Sequence, residues 1–180
     1  MTKTNALSIL ALSFVTAAAA QGPPGLDKKG PPVQSGITMK IAGLHCSTNE
    51  GSDTFSVTSY SFGADNSAST SSGGGGGAGK ATVLPLNAMK KFDECSPALF
   101  GGVVTGQHFQ TVDLIQQDEK HQTILIINLS DALITSYRIG GSQASDTPME
   151  TIQIDFRKIC ISEPSSSTKV CFDRGTNTTS

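Results

Sequence analysis

The stretch that decides the fold is residues 121–161, which read HQTILIINLSDALITSYRIGGSQASDTPMETIQIDFRKICI. Residues 123–129 are rich in Ile and Leu, and residues 133–139 and 151–157 alternate between two sets of side chains. Alternation is what a strand with one buried face requires, because successive side chains point to opposite faces of a sheet. These segments are therefore predicted strands, and the predicted buried face of the last one carries Ile152, Ile154 and Phe156.

The two alternating strands are predicted to be antiparallel and joined by a surface loop, because residues 140–148 are turn formers. In residues 133–139 the pattern puts two sets of side chains on opposite faces. Leu133, Thr135, Tyr137 and Ile139 lie on one face, and Ile134, Ser136 and Arg138 on the other. Four further strands are predicted at 37–44, 55–62, 80–86 (with Pro85 as a possible end) and 108–115, followed by a charged turn at 116–122.

One helix is predicted at residues 96–106. Ser96 can cap the free N–H groups, Pro97 has a suitable φ for the first helical position, and Gly106 is a suitable C-terminal stop. Gly101 and Gly102 each cost about 1 kcal/mol of helix stability relative to Ala, and they would permit close approach to a sheet. The expected fold is mainly β (α+β): an antiparallel β-barrel or two packed sheets with one α-helix.

Short motifs in a fixed order carry a resemblance to a known family. They are Met39-Lys40-Ile41-Ala42-Gly43, SYSFG at 59–63, GGGGGAGK at 73–80, Ser96-Pro97-Ala98-Leu99, Leu129-Ser130-Asp131-Ala132-Leu133, Ser136-Tyr137, Gly140-Gly141, Pro148-Met149-Glu150 and Phe156-Arg157-Lys158-Ile159. Together, over residues 37–161, this order resembles the haemolysin-coregulated protein (Hcp) family, the ring-forming tube proteins of the bacterial type VI secretion system.

The resemblance implies a non-enzymatic structural protein that forms a ring of about six subunits. It implies that rings stack into a hollow tube, which carries effectors and supports a spike protein, with no cofactor. It also implies that a Gly-rich loop reaches the neighbouring ring. In this sequence the ring-stacking loop would contain Gly73, Gly74, Gly75, Gly76, Gly77, Gly79 and Lys80.

The 180 residues suffice for one domain, and the net charge of −2 does not suggest a nucleic-acid-binding protein, which would normally have a basic face. Residues 1–20 are predicted to be a secretory signal peptide, with Lys3 before a short apolar core and cleavage after Ala20. The alternatives are a buried helix or a membrane anchor, but the segment is too short to span a bilayer comfortably. A secreted or periplasmic location follows, without stable membrane insertion.

The predicted organisation after the signal peptide has three parts. Residues 21–35 form a Pro/Gly-rich linker, 36–162 form the Hcp-like β-domain, and 163–180 form a polar C-terminal tail. Within the domain, residues 63–79 are of low complexity and cannot bury enough surface to offset their own ordering entropy. They are expected to be mobile in the isolated protein and to become ordered when rings stack.

The four cysteines are even in number, and in an oxidising compartment they predict two disulfides. Free thiols and a zinc site are the alternatives, but there is no C-x-x-C pair, and His45, His108 and His121 are not at ligand spacings. Among three possible connectivities we expect Cys160 with Cys171, which are close in sequence, and therefore Cys46 with Cys95.

No motif for catalysis, metal or nucleotide binding is complete. The Gly-rich run at 74–81 lacks the Ser or Thr that a phosphate-binding loop requires after its Lys, and residues 140–144 end in Ala144 where a nucleophile elbow requires Gly. His108, His121, Asp131 and Asp146 could be combined into a triad, but most chains of this length would allow that. The alternatives to a tube subunit are a secreted or periplasmic β-barrel binding module that has lost tube function, and an uncharacterised secreted hydrolase.

Overall fold

The computed structural model of the chain describes residues 36–67 and 80–180. The predicted signal peptide, the linker at 21–35 and most of the Gly-rich segment lie outside these residues. In chain order the elements are β1 (Ile37–Ile41), β2 (Ser47–Thr48), β3 (Gly51–Ser52), β4 (Thr54–Ser56), β5 (Ser59–Ser61), β6 (Ala64–Asn66), β7 (Ala81–Val83), β8 (Leu86–Lys91), α1 (Ser96–Thr105), β9 (His108–Gln117), β10 (Thr123–Gly140), β11 (Met149–Glu163), β12 (Thr168–Asp173) and β13 (Thr178–Thr179).

Nine strands form one antiparallel sheet with the order β13-β12-β11-β10-β9-β1-β4, and β8 pairs with both β11 and β5. The chain runs directly from β4, which pairs with β1, into β5, which pairs with β8. Val57 donates its backbone N–H to Ile37, and Thr58 donates its own to Met89 of β8, each at 2.8 Å. Strand pairing therefore runs round a complete circuit, and the predicted fold class, antiparallel β-structure with one helix, is confirmed.

The core lies inside this circuit. Met39 is paired with both Phe55 and Leu114, and Leu114 is paired with Ile127. All four side chains are fully buried. Such directly opposed apolar pairs are the unit of sheet stabilisation.

The predicted buried face of residues 151–157 is confirmed, because Ile152, Ile154 and Phe156 are all buried. The faces predicted for residues 133–139 are wrong in part. The alternation put Ile134 and Tyr137 on opposite faces, but Ile134 is opposite Ile154 and Tyr137 is opposite Ile152 on β11, so these two side chains share a face. The two predicted strands at 123–129 and 133–139 are one 18-residue strand, β10, whose register shifts between Ile134 and Ser136. Such an irregularity changes the face to which the following residues point.

The helix departs from the prediction at its start and agrees at its end. Cys95, not Ser96, is at the N-cap position, and no side chain caps the helix there. Gly106 has φ 63°, the left-handed C-terminal stop that was predicted. A Cβ atom on Gly102 would lie 3.2 Å from the Phe109 ring, so this glycine permits the predicted close approach, whereas Gly101 faces open space.

Two further segments differ from the sequence prediction. The strand predicted at 80–86 is two elements, because β7 pairs only with β6 and β8 begins after Pro85, at Leu86. Residues 163–180, predicted as a polar tail, contain β12 and β13, which continue the main sheet. The polar composition concealed this, since backbone pairing between β11 and β12 does not require apolar side chains.

Candidate functional site

A cluster of buried polar side chains lies where β8, β11 and α1 meet. Lys90 and Glu150, paired directly opposite each other on β8 and β11, are fully buried, as is Ser96 at the start of α1. Lys90 Nζ lies 2.9 Å from Glu150 Oε2, and Ser96 Oγ donates to the same oxygen at 2.9 Å. A buried charge is tolerated only when it is paired and hydrogen-bonded, and this arrangement meets both conditions.

Three neighbours complete the network. Lys90 Nζ also lies 2.8 Å from Asp93 Oδ1 and 5.3 Å from the centre of the Phe55 ring. Tyr137 of β10 donates its hydroxyl to Glu150 Oε1. Burial raises the pKa of the Tyr137 hydroxyl, and its bond to the Glu150 carboxylate raises that pKa further. The phenol therefore stays protonated and remains a donor at neutral pH.

The network is suited to holding elements together. Among the described residues, no buried side-chain nitrogen or oxygen lacks a hydrogen-bond partner. Its groups satisfy one another, so none is free to act on a substrate. Lys90 lies in a segment for which the sequence predicts no element, and Glu150 stands out in the sequence only as part of the Pro148-Met149-Glu150 motif. No periodic pattern reveals a partnership between residues 60 positions apart.

Both disulfides in the structure have the connectivity expected from the sequence. Cys46, in the loop after β1, is bonded to Cys95 at the N-cap of α1. Cys160 and Cys171 are directly opposite each other on β11 and β12. The first bridge lies next to the buried network, because Asp93 Oδ1 accepts the Cys95 backbone N–H at 2.9 Å.

The structure describes the two strands on either side of the predicted ring-stacking loop. Of its seven residues only the exposed Lys80 is described, and Gly73, Gly74, Gly75, Gly76, Gly77 and Gly79 lie outside the described residues. Asn66 of β6 is paired with Ala81 of β7. The loop therefore connects the two strands of a separate antiparallel ribbon.

The residues considered for a catalytic triad are only partly brought together. His108 Nδ1 and Asp131 Oδ1 lie 3.3 Å apart, with both side chains exposed. His121 lies in the turn before β10 and Asp146 in the connection after it, at opposite ends of this long strand. Within residues 36–67 and 80–180 no group of three or more His, Cys, Asp or Glu side chains could hold a metal ion.

Comparison with known proteins agrees with this arrangement. Residues 35–162 match the family described as "Type VI secretion system effector, Hcp". The chain belongs to the Hcp family. The resemblance inferred from the ordered motifs is thereby confirmed. Because this is a family of structural tube proteins, the protein is type VI secretion tube-like and is not an enzyme.

Solved Hcp structures share the fold. Hcp1 from Salmonella typhimurium has a TM-score of 0.69 at 18% identity, covering 82% of this chain and 99% of its own. A structure described as a type six secretion system protein has a TM-score of 0.71 at 21% identity, covering 81% and 99%. A type VI secretion system effector from Yersinia pestis has a TM-score of 0.63 at 20% identity, covering 76% and 98%. No curated protein matches the chain. In the described part of this Hcp protein, no helix has the length and apolar character needed to cross a membrane.

Proposed function

We propose that this Hcp protein assembles into a ring of about six copies and that the rings stack into a hollow tube. The observation that carries the proposal is the family match over residues 35–162, which includes the whole barrel circuit and the helix. Closed rotational symmetry is the usual form of a homo-oligomer, and a ring is the form that can stack into a tube.

The contact between rings is assigned to the loop that includes Lys80. It leaves from the β6–β7 ribbon, whose β6 strand is exposed along its whole length. Among the described strands β6 pairs only with β7, so its other edge has unpaired backbone groups, and pairing with a segment of another subunit would satisfy them. In this proposal the tube carries effectors in its lumen and contacts a spike protein at its tip.

Export through a cleavable signal peptide is the second part of the proposal. Two disulfides in the described residues support an oxidising compartment, since disulfides persist there and are rare in the cytoplasm. The predicted N-terminus of the mature protein is Gln21. Export also supports the second candidate function, a secreted or periplasmic binding module that has lost tube assembly. The third, a secreted hydrolase, is dropped because the family is one of structural proteins.

The mass of the purified protein in solution separates the two remaining functions. Analytical ultracentrifugation at micromolar to millimolar concentration should give the mass of about six subunits. Electron microscopy should show stacked rings. A variant shortened within residues 68–79 should form rings without stacks. A protein that remains monomeric over this range would favour the binding module. N-terminal sequencing of protein from its native host should begin at Gln21, and an intact Met1 would refute export by this route.

A further inference from the structure

A cleft of about 410 Å³ lies between β7 and the middle of β11, away from the buried polar network. Residues 80–83 line it, together with Asp155, Phe156, Arg174 and Gly175. Ligand sites in proteins typically have volumes of about 300–1,000 Å³, so the cleft is large enough for a small ligand or a short segment of chain.

The strand β7 has an unpaired backbone edge at this cleft. Among the described strands β7 pairs only with β6. Leu84 donates its backbone N–H to Gly63, which lies on the β6 side. Because the hydrogen-bonding groups of a strand alternate between its two edges, the N–H and C=O groups of Ala81 and Val83 point to the other edge. Both residues line the cleft, so an extended segment placed there can pair with them.

The strand β11 has a gap in its pairing at the same cleft. On the edge away from β10, β8 pairs with residues 149–154 and β12 with residues 158–163. Arg174 occupies part of the gap. Its backbone N–H donates to the Arg157 carbonyl at 2.9 Å, and its Nη1 donates to the Phe156 carbonyl at 2.7 Å. The guanidinium is therefore held at the cleft before any ligand arrives, which lowers the entropic cost of binding.

The charged groups of the cleft favour an acidic ligand. Lys80 and Arg174 are cationic and Asp155 is the one carboxylate among the lining residues, so the lining has a net positive charge. Arg174 Nη1 donates to the Asp155 carboxylate. Within the described part of the chain, every hydrogen bond of the Arg174 side chain comes from Nη1. The Nε and Nη2 donors therefore remain for a second carboxylate, and hydrogen bonds between two charged groups are the strong ones.

We propose that this cleft binds a short acidic peptide segment of a partner protein by β-strand addition. Backbone pairing with Ala81 and Val83 holds the segment in an extended conformation, and a carboxylate of the segment binds Lys80 and Arg174. Side chains of one face recur at every second residue of a strand, so the acidic side chains should alternate with others. The β7 edge is distinct from the β6 edge assigned to the contact between rings, so the proposal does not depend on ring formation.

The test uses the full mature chain and a fluorescein-labelled peptide, Val-Glu-Val-Glu-Val, with blocked termini. Fluorescence anisotropy should show saturable binding that weakens as salt is added. Lys80→Glu should weaken binding at least about fivefold, because it reverses a charge in the cleft. The matched control is Lys120→Glu, which makes the same charge change in an exposed turn and should leave the affinity unchanged.

Two altered peptides separate the charge contribution from the backbone contribution without changing the protein. A peptide with Gln in place of Glu should bind at least about tenfold more weakly, because it lacks the carboxylates. A peptide with N-methyl groups on alternate residues should not bind, because it lacks the N–H donors that strand pairing requires. Hydrogen exchange at the Ala81 and Val83 amides should be at least about tenfold slower when the original peptide is bound.

Several outcomes would overturn the proposal. They are no binding at millimolar protein, equal affinity for the Glu and Gln peptides, unimpaired binding of the N-methylated peptide, and equal effects of Lys80→Glu and Lys120→Glu. If the Ala81 and Val83 amides become protected without peptide as protein concentration rises, the β7 edge binds a second copy of the chain, and the proposal is also wrong. The sedimentation mass of the same samples reports ring formation separately.

Discussion

Replacement of Lys90 by Met should destabilise this protein strongly. The substitution removes a cation that lies 2.9 Å from Glu150 and 2.8 Å from Asp93, in a site with no solvent exposure at Lys90 or Glu150. Breaking a buried ion pair typically costs about 3–5 kcal/mol, because the remaining charge stays buried without its partner. Ser96 and Tyr137 still donate to the Glu150 carboxylate. We therefore expect the lower end of that range, about 3 kcal/mol.

Urea unfolding at pH 7, with disulfides intact and at one fixed protein concentration, measures this free energy. The matched control is Lys91→Met, which removes the same type of side chain from the neighbouring exposed position and should change stability by less than about 0.5 kcal/mol. The double variant Lys90→Met/Glu150→Leu removes the fully buried pair and should recover part of the loss, because Ser96 and Tyr137 then lose the carboxylate to which they donate. A cost below about 1 kcal/mol for Lys90→Met, or a double variant less stable than the single one, would refute the reasoning.

Three further predictions concern the cysteines, one carboxylate and two glycines. Cys46→Ser should lower the melting temperature more than Cys171→Ser. The Cys46–Cys95 bridge closes a loop of 49 residues and the Cys160–Cys171 bridge one of 11, so their entropic contributions to stability differ by about 1 kcal/mol. The reverse order in a thermal melt would contradict this. Burial opposes ionisation of Asp53, but backbone N–H groups of the loop after β1 outweigh it and lower its pKa. Asp53 therefore contributes stability above its unfolded pKa that is lost as pH falls through the lower folded pKa. The stability difference between the protein and Asp53→Asn should shrink on acidification, and a constant difference in urea titrations would exclude this role. Gly101→Ala should stabilise the helix by up to about 1 kcal/mol. Gly102→Ala should not, because the added Cβ would press on Phe109. Equal gains in unfolding free energy for the two variants would show that the contact between residue 102 and Phe109 does not prevent the gain.

Local chemistry predicted the features that depend on neighbouring residues. The alternation at 151–157 gave the buried face of β11, and Gly106 gave the end of α1, because both depend on a few adjacent positions. The Lys90–Glu150 pair could not be found in this way. Lys90 is in a short segment without apolar periodicity, and its burial depends on a partner from another strand. A long-range ion pair follows from the register of two strands, which one sequence does not specify.

The buried face of the sheet reverses at one row, and this reversal explains the position of the helix. β10 buries Ile127 and Leu129 before Asp131, but Ala132 and Ile134 after it. The neighbouring strands reverse at the same level, between Phe109 and Val112 on β9 and between Phe156 and Ile159 on β11.

Because all three strands change their buried face at the same row, the pairing register between them does not shift at that row. Ser130 is opposite Thr111, and Ala132 is opposite Phe109. Asp131 has φ 52°, a conformation that Asp tolerates better than a β-branched residue does. Periodicity within one strand cannot anticipate a change shared by three. Beyond this row Phe109 and Ile134 lie against Gly102, so the reversal creates the surface on which α1 packs. The position of the helix therefore depends on a change of buried face that three strands share.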